Sequence, residues 1–289
     1  MESVESIIMD GKVVAKSIYS EISKTFVAGK FKIRPKLAII LIGNDESSLI
    51  YDKQKIKICM KLGFDYVFDH RSEADALSTD DVVNLVQMYN EDQSVTGILV
   101  QLPLPKHLDK QAIINAIDPK KDVDGIHPFN IGQTFLGKAF EGLTPCTATG
   151  VVKMLEYYKI GIVGKNIAVV GAGLIAGKPI AAMLSNRKAT VMICNSDTKN
   201  LAQITSIADI IVVAVGHPGL IKAEMVKKGA VIVDVGITRT EEKIVGDADF
   251  DGLVGKVSYI SPVPGGVGRL TVACLMANLL KATIMNSNA

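Results

Sequence analysis

Short apolar runs alternate with longer amphipathic segments through the first part of the chain. The apolar runs predict buried β-strands at residues 37–43, 66–68 and 97–102, the first ending at glycine and the last stopped by proline. The segments between them have capping residues and helical periodicity, and predict helices over about residues 13–27, 49–62 and 79–90. Because strand alternating with helix is typical of a parallel sheet, roughly the first 120 residues are predicted to form their own α/β domain.

A second alternating pattern begins at residue 167. There an apolar run ends in Gly171-Ala172-Gly173, a helix-like run covers 180–184, and further buried strands are predicted at 190–194, 209–215 and 230–235. This pattern predicts a Rossmann-like, doubly wound parallel sheet. The glycine spacing, G-x-G-x-x-x-G, is one residue longer than the usual nucleotide fingerprint, so a plain flexible loop is the alternative. The strands that follow favour a nucleotide-binding turn.

Composition narrows the class of protein. A chain of 289 residues with 48% hydrophobic and 21% charged residues is typical of a soluble protein of two domains. A net charge of +2 is nearly balanced and does not indicate binding to nucleic acid or to a membrane surface. The most apolar window, 167–184, contains glycines, a lysine and a proline, and no other stretch is expected to approach the ~20 apolar residues of a membrane span.

The cysteines and the first residues bear on location. The four cysteines are far apart and form no C-x-x-C pair, which indicates reduced thiols. The chain starts with acidic residues where a signal peptide needs positive charge. We therefore expect a cytoplasmic protein.

The helix predicted at 49–62 carries a lysine of particular interest. At 100° per residue, Tyr51, Lys55, Ile58 and Leu62 fall on one stripe. A lysine on such a stripe commonly covers apolar surface with its stem and keeps its ammonium in water. The alternative is a lysine held in a low-dielectric cleft, where it gains and loses a proton, with Tyr51 as a flat wall for a ring. Spacing alone leaves both open.

Two other segments place polar groups next to apolar runs. Gln101 ends a predicted strand, at the edge where open α/β sheets bind ligands. The loop 121–128 carries Asp122, Asp124 and His127, and a solvated turn is the alternative interpretation of it. No spacing of histidine, cysteine or carboxylate residues indicates a metal site, so none is predicted.

Taken in order, the motifs resemble one family, the bifunctional methylenetetrahydrofolate dehydrogenase/cyclohydrolases known as FolD. They extend over nearly the whole chain. The matching segments are Ser48-x-x-Tyr51-x-x-x-Lys55, Gln101-Leu-Pro-Leu-Pro105, Lys121-Asp-Val-Asp-Gly125, Thr144-Pro-Cys-Thr147, the glycine turn at 171–177, Ala214-Val-Gly-His-Pro-Gly219, Asp234-Val-Gly-Ile237 and Ser261-Pro-Val-Pro-Gly-Gly-Val-Gly268.

The resemblance implies a reaction and a set of residues. The family oxidises 5,10-methylenetetrahydrofolate with NADP and hydrolyses the methenyl product to 10-formyltetrahydrofolate, in one cleft between two domains. Lys55 is then the general acid/base, and Gln101 is hydrogen-bonded to it and favours its neutral form. Tyr51 stacks on the aminobenzoyl ring, and Asp124 binds the pterin. The last part of the folate site is the segment Pro264, Gly265 and Gly266.

The resemblance places the cofactor on Gly171, Ala172, Gly173, Ser196, Asp197 and Ile237. Here the chain departs from the family, because Ala172 and Asp197 stand where arginine or lysine commonly pairs with the 2′-phosphate of NADP. A carboxylate suits a free ribose hydroxyl, hence NAD. Ser196 with Arg187 or Lys188 could still bind the phosphate, so NADP is predicted and NAD is not excluded.

The resemblance also implies the organisation of the molecule. A folate-binding catalytic domain is predicted at 1–147 and an NAD(P)-binding domain at 148–267, with a last helix at 268–289 packing back on the first domain. A homodimer joined through the cofactor domain is expected, with a small-molecule folate as substrate and no nucleic-acid or membrane partner. The alternatives are an NAD-specific or dehydrogenase-only variant, or a nucleotide- or folate-sensing protein with an inactive cleft.

Overall fold

The computed structural model describes residues 4–29, 31–72, 76–137, 142–240 and 243–287. In chain order the strands are β1 (Ile7–Ile8), β2 (Lys36–Ile42), β3 (Asp65–Arg71), β4 (Gly97–Val100), β5 (Asn166–Val170), β6 (Thr190–Cys194), β7 (Ile210–Val213), β8 (Val231–Asp234), β9 (Thr238–Arg239), β10 (Ile244–Val245) and β11 (Tyr259–Ile260). The helices are α1 (Gly11–Ala28), α2 (Glu46–Leu62), α3 (Thr79–Glu91), α4 (Lys110–Asn115), α5 (Pro128–Phe135), α6 (Cys146–Tyr157), α7 (Gly177–Ser185), α8 (Leu201–Ile207), α9 (Phe250–Leu253) and α10 (Val267–Ser287).

The chain divides into two compact units. The six-stranded unit contains the described residues up to Ser17 together with 134–137 and 145–274, and the three-stranded unit contains 18–133, 142–144 and the residues from Leu275 onward. This division differs from the predicted boundaries at 147 and 267. The physical reason at the N-terminus is that β1 pairs with β11 and so belongs to the six-stranded unit. The last two residues of the predicted helix 268–289 lie outside the described ranges.

The six-stranded unit is built on a parallel sheet in the order β1-β11-β8-β7-β5-β6. Its central strands β7 and β8 are buried along their full length. This explains why they consist almost entirely of isoleucine and valine and do not alternate apolar with polar residues. Chain order reverses at β5, which lies between β6 and β7. The predicted doubly wound sheet is confirmed.

The three-stranded unit is a second parallel sheet, in the order β3-β2-β4. On one face of β2, Ala38, Ile40 and Ile42 pack with Val82 and Val86 of α3 and with Ile98 and Val100 of β4. An isolated parallel bridge between Ile98 and Asp122 extends the sheet by one short contact. The α/β architecture predicted for this part of the chain is therefore also confirmed.

Helix α10 is long and apolar enough to cross a membrane, so the expectation that no stretch besides 167–184 approaches this length was wrong. Two thirds of its apolar window, however, is buried inside the fold. Its polar side chains are anchored there as well: Asn278 donates to the carbonyls of Val123 and Thr144 at 2.8 Å, and Thr283 donates to Thr96 Oγ1 at 2.8 Å. These contacts are those of a core helix.

The four cysteines are free thiols, and all are buried. Cys59 Sγ lies 3.6 Å from Met276 Sδ, and burial raises the pKa of this thiol to about 12. The thiols of Cys59 and Cys274 therefore stay protonated at neutral pH and behave as small apolar groups.

Candidate active site

Helix α2 positions the lysine that the sequence singles out. Asp45 caps the helix by accepting from the N–H of Ser48, and Gly63 ends it in the left-handed conformation. The fully buried side chains are Ser48, Asp52, Lys55 and Cys59. The sequence predicted a buried face through Ile58 and Leu62, but both side chains are only half-buried. The buried face of the helix is instead displaced towards its polar residues.

Lys55 is only 3% exposed. Its Nζ donates to Asp52 Oδ1 at 2.7 Å and to Gln101 Oε1, and it lies 4.4 Å from the centre of the Tyr51 ring. The interpretation that the ammonium reaches water is therefore wrong. Of the predicted catalytic residues, Tyr51, Lys55 and Gln101 are brought together.

Gln101 follows β4 directly. Its backbone N–H donates to Ile40 O at 2.8 Å, and its Nε2 donates to Leu102 O at 2.5 Å. Because the amide nitrogen is used by this carbonyl, the amide oxygen is the atom turned to Lys55. The acceptor next to Lys55 is thus neutral and fixed in orientation.

Asp52 is a site residue that the sequence analysis missed. Its carboxyl is fully buried, and its Oδ2 is a buried oxygen without a hydrogen-bond partner among the described residues. Burial raises the pKa of Asp52, whereas the charge of Lys55 and its hydrogen bond act in the opposite direction. Its position three residues before Lys55 was the available signal, because residues at this spacing share a helix face.

The loop that follows the Ile98–Asp122 bridge is partly buried, so its interpretation as a solvated turn is wrong. Asp122 is buried and accepts from the N–H groups of Gly125, Ile126 and His127, with one further bond from Asn130 Nδ2 at 2.8 Å. Burial raises the pKa of this carboxyl, and the hydrogen bonds from Asn130, His127 and Ile126 oppose the shift. The carboxylate therefore ties the loop together around Asp124, which is half-buried two residues after the bridge.

Lys121 is a second buried charge in this segment. Its Nζ donates to the backbone oxygens of Tyr89, Asn90 and Asp92 at 2.6–3.1 Å. These carbonyls belong to the end of α3, where backbone oxygens lack helical partners. Lys121 thus has a structural role, and it joins the loop to α3.

The predicted cofactor residues lie at one edge of the six-stranded sheet. Val170 is level with Cys194 and with Val213, and Val213 is level with Asp234. Because these strands are parallel, the segments after them leave the sheet at the same edge. Those segments carry Gly171, Ala172, Gly173, Ser196, Asp197 and Ile237, and the segment after β11 carries Pro264, Gly265 and Gly266.

The glycine turn after β5 has two crowded positions and one open one. A Cβ on Gly171, whose φ is +117°, would lie 2.2 Å from Ala214 O, and a Cβ on Gly177 would lie 1.8 Å from Gly171 O. A Cβ on Gly173 would have no atom within 4 Å. The outer glycines thus permit the backbone to pass closely, and the middle one leaves room in front of α7. An open turn at a helix start fits the pyrophosphate of a nicotinamide nucleotide.

Two basic residues considered for the 2′-phosphate lie at the other end of α7. Arg187 follows this helix, donates to Met183 O at 3.2 Å and pairs with Glu156 at 3.5 Å. Lys188 lies just before β6, at the amino edge of the sheet. The suggestion that they reach a phosphate at the carboxyl edge is therefore wrong. Asp197 itself is exposed in a turn after β6.

Two buried aspartates hold this carboxyl edge in place, and the sequence analysis missed this role. Asp234 accepts from the N–H groups of Gly236, Asp247 and Ala248, while Asp247 Oδ2 accepts from Val215 and Gly216 at 2.6 and 3.0 Å. Burial raises the pKa of Asp234 to about 6. The available signal in the sequence was one aspartate at the end of an apolar strand, Asp234, and one directly after a glycine, Asp247. Together they connect the loops after β7, β8 and β10.

Across the described ranges, no group of three histidine, cysteine or acidic side chains is arranged to hold a metal ion. One unit contains a parallel sheet with a turn of the nucleotide-binding type. The other contains a buried lysine with a neutral and an acidic partner. These features are typical of an enzyme that uses a nicotinamide nucleotide.

Comparison with known proteins gives the family. Residues 9–124 match the catalytic domain of tetrahydrofolate dehydrogenase/cyclohydrolase, and residues 145–287 match its NAD(P)-binding domain. The bifunctional protein FolD of Hydrogenobaculum sp. is 46% identical over 275 residues, covering 95% of this chain and 98% of that protein.

Solved structures agree. The FolD dehydrogenase/cyclohydrolase of Campylobacter jejuni has a TM-score of 0.92 at 43% identity and covers 97% of this chain and 99% of its own. The Trypanosoma brucei enzyme, solved with NADP and an inhibitor, has a TM-score of 0.92 at 36% identity and covers 99% of both chains. The chain therefore belongs to the tetrahydrofolate dehydrogenase/cyclohydrolase family, and is an enzyme of folate one-carbon metabolism with both activities.

The glycine turn yields a stability prediction. In Gly177→Ala the new methyl overlaps a backbone oxygen, so we expect the free energy of unfolding of the six-stranded unit to fall by about 2–3 kcal/mol. Gly173→Ala is the matched control, since its methyl enters open space, and we expect a change within about 0.5 kcal/mol. Urea titration followed by circular dichroism measures both. Equal stability of the two variants would contradict the described packing of the turn.

Proposed function

We propose that this chain oxidises 5,10-methylenetetrahydrofolate to the methenyl form with NADP and hydrolyses that product to 10-formyltetrahydrofolate, using Lys55 as the acid/base. The observation that carries this proposal is the burial of Lys55 against Gln101 and Asp52. A lysine that only solubilises a helix surface does not need such partners. The intact lysine site also argues against a dehydrogenase-only variant and against a sensor with an inactive cleft.

The hydrolytic step requires little more than a positioned base. The methenyl carbon is already an electrophilic cation, so a water molecule attacks it once a proton can leave that water. Lys55 in its amine form takes this proton, and its ammonium form then protonates the departing ring nitrogen. Gln101 holds Nζ in place through a neutral oxygen and adds no negative charge that would favour the ammonium.

The folate is proposed to bind through flat and hydrogen-bonding surfaces. The Tyr51 ring stacks on the aminobenzoyl group, with the Lys55 amine beside it. The carboxylate of Asp124 accepts from the donor edge of the pterin, on a loop that Asp122 keeps in shape. Pro264, Gly265 and Gly266 are proposed as further folate-binding residues, because glycines allow a ring to approach the backbone closely.

The oxidation step is a matter of alignment. The bound nicotinamide nucleotide supplies a hydride acceptor, and the chain's own residues hold it in place. Gly171, Ala172 and Gly173 are proposed to cradle the pyrophosphate at the start of α7, and Ser196 and Asp197 to contact the adenosine ribose. Ile237, which is 60% exposed after β8, supplies an apolar contact for the nicotinamide.

We also propose that the protein is cytoplasmic and takes a small folate as its partner, without nucleic acid or membrane. The near-balanced charge and the buried free cysteines support this proposal.

Lys55→Met tests the acid/base assignment. Because the variant keeps the stem but loses the amine, we expect methenyl hydrolysis to fall by about 10²–10⁴-fold. Folate affinity should change by much less. Hydrolysis is followed by the loss of methenyl absorbance, and binding by calorimetry.

Lys53→Met is the matched control, because Lys53 is an exposed lysine on the same helix, and it should hydrolyse at the parent rate. Parent-level hydrolysis by a folded Lys55→Met protein would remove Lys55 from the mechanism.

Cofactor choice is tested on Asp197. NADP is proposed because the Trypanosoma brucei relative was solved with it, although Asp197 places a carboxylate near the ribose site. We expect reduced-nicotinamide formation to be faster with NADP than with NAD, and Asp197→Asn to increase that preference about fivefold by removing a like charge. Glu224→Gln, in the loop between β7 and β8, is the control for a general charge effect. A clear preference of the parent for NAD would reverse the cofactor proposal.

A homodimer joined through the six-stranded unit is proposed as well. Strand β6 is the last strand on its side of the sheet, and Ile193 on it is half-exposed, so an open edge with an apolar side chain is available to a second copy. Sedimentation should give about twice the chain mass of 30.9 kDa. Ile193→Lys should shift the equilibrium towards the single chain. A parent protein that sediments as a single chain at micromolar concentration would exclude the dimer.

A further inference from the structure

Asp52 is a buried carboxyl that the proposed mechanism does not yet use. It is as deeply buried as any charged group of the described chain, at 0% exposure, and it lies 2.7 Å from the Lys55 nitrogen. Both residues lie on the same face of α2, three positions apart. The acid/base lysine thus has a second proton-carrying group in direct contact.

The surroundings of Asp52 stabilise its anion poorly. Oδ1 accepts one hydrogen bond from Lys55, and Oδ2 accepts none from the described residues. A buried carboxylate of low energy normally accepts several hydrogen bonds; here Asp122 accepts four and Asp234 three. An ammonium–carboxylate pair and an amine–carboxylic acid pair differ only in the position of one proton, and burial reduces the preference for the charged form.

We propose that Asp52 is the proton partner of Lys55 in hydrolysis: it receives the proton that Lys55 gives up to become a base, and later returns it. This inference rests on the proposed role of Lys55. It makes Asp52 a positioning and proton-storing residue that acts through the lysine.

The first step is a proton transfer within the pair. An N–H bond of the Lys55 ammonium breaks and an O–H bond forms on Asp52 Oδ1, which leaves an amine and a carboxylic acid with no net charge. The amine lone pair then takes a proton from water as the water oxygen bonds to the methenyl carbon, so the positive charge moves from the folate to Lys55. Lys55 next donates that proton to the departing ring nitrogen as the C–N bond breaks, and the O–H bond of the added hydroxyl breaks as the formyl carbonyl forms, its proton passing to bulk water. The proton stored on Asp52 then returns to the Lys55 amine and resets the pair. No oxidant, metal or further reactant takes part.

Few other groups act on this carboxyl. His70 on β3 exerts an electrostatic effect on Asp52, but its ring is exposed and hydrogen-bonded to Gly43 O at 2.9 Å. Within the described part of the chain, Lys55 also contacts the neutral Gln101 amide and lies over the Tyr51 ring. The proton transfer is therefore proposed to take place within the pair.

The first test is the pH profile of methenyl hydrolysis by the parent protein, corrected for the uncatalysed rate. Because the proton moves within the pair, we expect the catalysed rate to vary by less than about threefold from pH 6 to pH 8.5. A rate that follows the titration of a single group across this range would overturn the proposal, whatever the variants do.

The second test is Asp52→Asn, which keeps the shape of the side chain but cannot store the proton. We expect the rate of hydrolysis at pH 7 to fall at least tenfold. On the acid side of the pH profile, the rate of this variant should rise about tenfold per pH unit, because the proton of Lys55 must now leave to solvent. Asp52→Glu, which keeps a carboxyl, should recover most of the rate and the flat profile. Oxidation of methylenetetrahydrofolate, a hydride transfer, should change by less than about threefold in both variants.

Two controls accompany these variants. Glu46→Gln removes a carboxylate from the exposed first turn of α2, and His70→Gln removes the other titratable group near Asp52. Both should keep the parent rate and profile. If His70→Gln reproduces the altered profile, or if Asp52→Asn retains the parent rate and profile, Asp52 is not the proton partner.

Failure of this inference is distinguishable from failure of the proposed function. Loss of hydrolysis in Lys55→Met together with parent behaviour in Asp52→Asn rejects only the role of Asp52. Parent hydrolysis in Lys55→Met rejects the lysine itself, and the role of Asp52 with it.

Discussion

All strands of the six-stranded sheet run in the same direction, and this constraint organises the unit. Each strand that enters from the amino edge must deliver its following loop to the carboxyl edge, so segments that are distant in the chain meet there. The glycine turn after β5, the segment after β6 and Gly236 after β8 reach the same edge for this reason. The same geometry explains why Arg187 and Lys188, which precede a strand, lie at the opposite edge.

Buried aspartates hold the loops at the ends of the strands in place. Backbone N–H groups at loop ends need acceptors, and three aspartates supply them: Asp122 for the loop that carries Asp124, and Asp234 and Asp247 for the carboxyl edge. Asp122 accepts four hydrogen bonds, Asp234 three and Asp247 two. Asp52 differs from Asp122 and Asp234, both of whose oxygens accept hydrogen bonds, since only its Oδ1 is engaged and that oxygen contacts the lysine proposed as the acid/base. The contrast separates carboxylates that shape loops from one that is suited to exchange a proton.

Individual residues show how far sequence reasoning extends. The strand and turn at 167–173 were predictable, because an apolar run followed by glycines has few other solutions. Lys55 and Gln101 were recognised as chemistry-bearing residues, yet spacing alone did not tell a buried ammonium from an exposed one. The predicted stripe on α2 was rotated because periodicity assumed that the buried face is apolar, whereas this face carries Ser48, Asp52 and Lys55. Asp247 and Lys121 were missed, since their partners are backbone groups of other segments.

By itself the sequence determined the α/β class, the alternation of strands and helices, and the motifs that identify the family. Each of these depends on local pattern: apolar periodicity, caps and glycine spacing act over a few residues. Only the tertiary structure decided which charges are buried and what they contact. It placed β1 beside β11, turned α10 into a core helix, and set Asp52 against Lys55. The reason is physical: the cost of burying a charge depends on donors and acceptors brought from elsewhere in the chain, and no local pattern records them.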